Sequence, residues 1–234
     1  MTKDKQGREI SLTVDLAENP IIRGLMQLIP AGIGSALDVM IVDSAERIKK
    51  ERARVFFDEL GAGQVALTEE LVQSDDFIHA LDSTMRAAFR TRRAEKIRMF
   101  ARLLKRGAID GGAGSTDDYE EMVGLLDELS YREWQALLLF QGFLDSTPVY
   151  LTPLHRATHA WMQFTAELRA QLGVDDSEAS SFMNRIARTG LYNEIIDSSV
   201  GYQGGVGMTT PRFARFRHLV EDLGQAPPSM GACS

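Results

Sequence analysis

His155 and His159 stand four residues apart in "TPLHRATHAW", a spacing that puts two imidazoles on one helix face, as in a zinc site. Metal-assisted hydrolysis also needs a third ligand and a general base. An HExxH pattern would carry that base where this chain has Arg156, and no third ligand stands out. The two histidines therefore read as surface or core residues. Gly32 and Gly34 in "AGIGSAL" begin a phosphate-cradling pattern, but Leu37 stands where GxGxxG needs its third glycine, and no GK[ST] follows. Cys233 is the one cysteine, so neither a disulfide nor a CxxC zinc site can be built from it. There is no GxSxG elbow, no usable cysteine–histidine pair and no spaced carboxylate dyad. The expectation is a chain with no catalytic residue, no metal and no cofactor.

Charge is the stronger signal. From Arg86 to Arg106 the sequence is dense in Arg and Lys against one acid, Glu95, and Asp117, Asp118, Glu120, Glu121, Asp127 and Glu128 follow. Arg86, Arg90 and Arg93 fall on one ridge at helical spacing, and with Arg98 and Arg102 they form a candidate surface for an anion or an acidic partner. The same residues also suit complementary helix faces, where each exposed pair contributes under about 1 kcal/mol. Nucleic acid is possible there but not favoured. Net charge is -7, and the only nearby aromatics, Phe89 and Phe100, lie on apolar stripes rather than in stacking positions.

These side chains need elements to hold them. In "LMQLIPAGIGSALDVMIVDSA" the interruptions Gln27, Pro30, Ser35 and Asp38 argue against a membrane span. Ile33, Leu37, Ile41, Ala45 and Ile48 recur at helical spacing, and the stripe resumes at Val55, Phe56 and Leu60. This predicts a helix from about Ile33 to Leu60, stopped by Gly61 and Gly63 and joined at Pro30 to a short helix near Pro20–Leu28. "REISLTVDL" alternates as a short extended arm. Ser74 or Asp75 starts another helix, and a break near Thr91 separates it from "RTRRAEKIRMFARLLKRG". The Gly-rich "AIDGGAGSTDD" is the clearest internal boundary. Helices are then expected at "DDYEEMVGLLDEL", behind the Ser130–Glu133 capping box, and behind Pro153.

From Asp175 the pattern is a helix, "TGLY", two short strands around "GYQGGVG", and a last helix entered by "TTPRF". This resembles the latter part of winged-helix modules, over Ser130 to Leu223 at most; the helix at Pro153–Leu172 departs from their most compact form. The resemblance implies a recognition helix presenting Ser181, Asn184, Arg185 and Arg188. A DNA reader needs cations there and on the wing. Here Asp175, Asp176 and Glu178 crowd the helix start, and no Lys or Arg lies between Gly190 and Pro211.

The expected fold is mainly α: an N-terminal helical bundle built on a long helix hairpin, then a winged-helix-like module with one small hairpin. The divisions are an extended arm at 1–19, a helical domain at 20–108, a linker at 109–116, a second domain at 117–224 and a tail at 225–234. The expected function is a non-catalytic adaptor or regulator of bacterial type acting through an unknown protein partner; the alternatives are a winged-helix DNA-binding regulator and an enzyme with an unrecognised site. The polar "MTKDKQGREI" start and the cysteine usage lead to a cytoplasmic, non-membrane expectation. Leu37, Met40 and Ile41 are the candidate self-association face of a homodimer.

Overall fold

The structure is a computed structural model and describes residues 47–62, 67–195 and 204–221. Among these the chain is mainly helical, with one small two-stranded antiparallel sheet near the C-terminus. The extended arm, the Pro20–Leu28 helix, the Leu37–Ile41 face, the hairpin tip and the tail all lie outside the described residues. So does the first half of the predicted Ile33–Leu60 helix, whose described part is α1, Arg47–Gly61.

Two compact units are present: the described residues up to Gly124 together with those from His218, and Leu125–Arg217. In the first, α1 is followed by α2 (Glu69–Gln73), α3 (Asp75–Arg90) and α4 (Ala94–Leu103). Local chemistry sets the boundaries. Thr68 Oγ1 accepts the Leu71 amide at 3.2 Å and Ser74 Oγ accepts that of Phe77 at 3.3 Å, so two orphan amides at helix starts find partners. Thr91 is extended, which separates α3 from α4 at the predicted break. Phe56, Phe57, Leu60, Met85, Ile97 and Phe100 form the core, with Phe56 meeting Phe57 edge-on at 5.4 Å between centroids.

A π-helical segment, Leu104–Ile109, extends α4. Its Gly107 lies against Tyr119 of α5 (Thr116–Glu128); a Cβ there would come within 3.0 Å of the ring. The Gly-rich stretch after it is a turn tied back to the π segment, with the Gly112 amide donating to the Arg106 carbonyl at 2.9 Å. The compact units part at Gly124–Leu125, inside α5.

In the second unit α6 (Tyr131–Ser146) opens with the predicted capping box, and α7 (Pro153–Leu172) starts at the predicted proline and ends at Gly173 with φ +61. Then come α8 (Asp176–Ala187), β1 (Tyr192–Glu194), β2 (Gly207–Thr209) and α9 (Pro211–Val220), whose residues from His218 on belong to the first unit. The strands pair Tyr192 with Thr209 and Glu194 with Gly207. Phe140 of α6 is the hub, meeting Phe164 of α7 at 5.2 Å and Tyr192 of β1 at 5.3 Å. The entry to β2 is fixed from three sides. Ser180 of α8 donates to the Gly204 carbonyl at 3.0 Å, Tyr192 donates to that of Gly205 at 2.6 Å, and Trp161 fills the space a Gly205 side chain would need.

Candidate partner-binding surfaces

The arginine block of α3 and α4 is largely engaged within its own unit. Arg86 pairs with Asp82 one turn away at 2.8 Å. Arg102 Nε meets Glu59 of α1 at 2.6 Å, with both side chains under one-fifth exposed, and Arg98 approaches the other Glu59 oxygen at 3.8 Å. One carboxylate thus joins α1 to two turns of α4. The π segment continues this pattern toward helix ends. Lys105 donates to the Ala62 carbonyl at 2.8 Å, and Arg106 to the carbonyls of His218 and Glu221, where cations complement the negative end of a helix dipole. Arg90 and Arg93 also hold partners within the chain.

The predicted recognition residues share one exposed ridge: Ser181, Asn184, Arg185 and Arg188 all face outward on α8 or at its C-cap. Arg185 is anchored there, since its Nε meets Glu133 Oε1 of α6 at 2.7 Å and its guanidinium lies 5.5 Å from the Phe182 ring centre. Asp175, Asp176 and Glu178 are exposed at the opposite end of the same helix.

His155 and His159 use their Nδ1 atoms locally, toward Thr152 Oγ1 at 2.7 Å and Thr147 Oγ1 at 3.3 Å. Among the described residues no three His, Cys, Asp or Glu side chains converge as a metal site. Among them, too, no helix is long and apolar enough to cross a membrane. Tyr119 is buried against the π segment: burial pushes its phenol well above the ordinary tyrosine range, against a smaller opposite effect of its bond to Thr84.

Two features were missed in the sequence. Val149 and Tyr150, adjacent in the loop between α6 and α7, are each 84% exposed, and Met162 on α7 is 69% exposed. They lie in "TPVYLTP", apolar residues between two prolines, a pattern that marks a loop but not its exposure. The second is the pair Arg212 and Arg215 on α9, read only as part of a helix start. No family model, no curated protein and no solved structure matches the chain.

Proposed function

We propose that the chain is a non-catalytic cytoplasmic adaptor or regulator that works through protein contacts. The observation that carries this is the Val149–Tyr150 pair. Single exposed apolar residues are ordinary on a protein surface. Two large neighbours, almost wholly in water on one loop, form a ready anchor, since tyrosine combines large apolar area with few rotors and is enriched at interface hot spots. Burying each against a partner is worth roughly 1.5–3 kcal/mol. The test is capture of binding partners by the intact chain and by a Val149→Ser/Tyr150→Ser variant whose circular dichroism matches it. Loss of a captured protein from the variant supports the reading; identical captured sets sink it.

A winged-helix DNA-binding regulator is the second reading, favoured by the exposed α8 ridge followed directly by the two strands and α9. Against it stand the cation-free stretch from Gly190 to Pro211 and the three carboxylates at the helix start. Retardation of duplex DNA that weakens steeply with salt would favour it over the adaptor reading. Self-association through Leu37, Met40 and Ile41 is a proposal from sequence alone, answered by the mass in light scattering.

A further inference from the structure

We propose that His155 and His159 hold one divalent transition-metal ion through their Nε2 atoms, and that the ion ties together the two ends of the loop carrying Val149 and Tyr150. The ion site stands on the histidines and their partners; what it does for the loop rests on the protein-contact reading above.

The two histidines lie one turn apart on one face at the start of α7, and both are exposed. Each ring is oriented at Nδ1 by a threonine. Thr152 Oγ1 lies 2.7 Å from His155 Nδ1, and Thr147 Oγ1 lies 3.3 Å from His159 Nδ1. Thr147 also donates to the Phe143 carbonyl at 2.8 Å. In that arrangement its oxygen accepts from His159 Nδ1, which leaves the ring's lone pair on Nε2. Thr152 Oγ1 accepts the His155 amide at 3.3 Å and keeps a second lone pair for the His155 ring. Metal-binding imidazoles are held in this way, one nitrogen fixed by an outer hydrogen bond and the other turned to the ion. Among the described residues neither Nε2 has a partner of its own.

Arg156, between the histidines in sequence, sends its guanidinium to the end of α6, where Nη2 donates to the Leu144 carbonyl at 3.0 Å. Its charge is therefore not aimed at the ion. Among the described residues no third His, Cys, Asp or Glu joins the pair, so water fills the remaining coordination positions. Two imidazoles without a carboxylate select nickel, copper or zinc over magnesium and calcium, which require oxygen ligands.

The same threonines bracket the exposed loop. Thr147 is the C-cap of α6 and Thr152 the N-cap of α7, with Val149 and Tyr150 between them, each 84% exposed. One histidine is bonded to each end. An ion joining the two rings thus links Thr147 to Thr152 across the loop and restricts the backbone that presents the apolar pair. A loop ordered in advance costs a partner less to engage.

The experiment is calorimetric titration of the untagged full chain with Ni2+ and, separately, Mg2+, followed by chymotrypsin digestion in which mass spectrometry tracks cleavage after Tyr150. The expected result is a site for one Ni2+ per chain that Mg2+ does not fill and that His155→Gln/His159→Gln lacks, with circular dichroism unchanged. Saturating Ni2+ should slow cleavage after Tyr150 at least about threefold in the intact chain and not in that variant. Absence of the Ni2+ site, its survival in the variant, or cleavage that Ni2+ leaves unaltered overturns the proposal. Val149→Ser/Tyr150→Ser should bind Ni2+ as the intact chain does. Loss of partner capture in that variant without a Ni2+ site in the intact chain removes the ion alone, whereas unaltered capture beside a sound Ni2+ site removes the adaptor reading.

Discussion

Glu133 holds two elements with its two oxygens: Oε2 accepts the Ser130 amide at 2.7 Å and closes the cap of α6, while Oε1 meets Arg185 of α8 at 2.7 Å. The carboxylate is buried, yet its partner guanidinium is more than half exposed. The helix that presents the Ser181–Arg188 ridge is therefore fixed by a residue whose first duty is to start another helix. The two duties are separable. Glu133→Gln keeps an oxygen for the cap, since glutamine serves in a capping box, and gives up only the ion pair; its cost is about 0.2–1 kcal/mol. Glu133→Ala leaves the part-buried Ser130 amide without its side-chain partner as well and costs about 1–3 kcal/mol. Urea denaturation of both variants checks this, and equal losses would mean that the cap contributes nothing.

Two glycines give opposite expectations. A side chain at Gly207 would begin 2.2 Å from the Asn193 carbonyl oxygen on the paired strand and 2.7 Å from the Tyr192 ring. The carbonyl is backbone and cannot swing away, so Gly207→Ala forces the two strands apart, at roughly 1–3 kcal/mol or more. Gly124 is exposed within α5 with nothing inside 4 Å of a new Cβ. There alanine restricts the unfolded chain and suits the helix, so Gly124→Ala stabilises by about 0.5–1 kcal/mol. Thermal midpoints should move in opposite directions; a raised midpoint in Gly207→Ala contradicts the tight strand contact.

Helix starts were legible in the sequence because caps are local. Ser74, Ser130 with Glu133, Pro153 and Pro211 each announce a first turn within a few residues, and Thr91 marks a break. The grouping of Ser181, Asn184, Arg185 and Arg188 was legible for the same reason, since residues three and four apart share a helix face. What a charged side chain meets across the fold was not. Nothing near Arg102 in the sequence points to Glu59, and nothing near Arg106 points to the carbonyls at the end of α9. Exposure of Val149 and Tyr150 was equally hidden, because apolar residues between prolines fit a buried loop as well as a protruding one. The π segment has no composition signal, and neither does the approach of its Gly107 to Tyr119.

Tyr119 gives the pH prediction. Its hydroxyl is 2.5 Å from Thr84 Oγ1, and the Thr84 proton is already donated to the Ala80 carbonyl at 2.6 Å. The phenol can donate in that bond, and a phenolate could accept the Thr84 proton there instead, so the same contact can also serve the charged form. Burial first, with the Thr84 bond acting more weakly in the other direction, leaves its pKa far above the ordinary value of 10.0. The sign follows from proton binding. Above about pH 10 an unfolded tyrosine gives up its proton while the folded one keeps it, so the native state binds more protons and stability falls as pH rises. Below that pH the contribution is fully present. The slope from this one group is at most about 1.4 kcal/mol per pH unit. Tyr119→Phe removes the titration and leaves Thr84 with its Ala80 partner, at a neutral-pH cost of about 0.5–1.5 kcal/mol. Urea midpoints measured from neutral pH to above about pH 10 should decline less steeply in the variant. Parallel decline in the two proteins would show that Tyr119 is not the group that titrates.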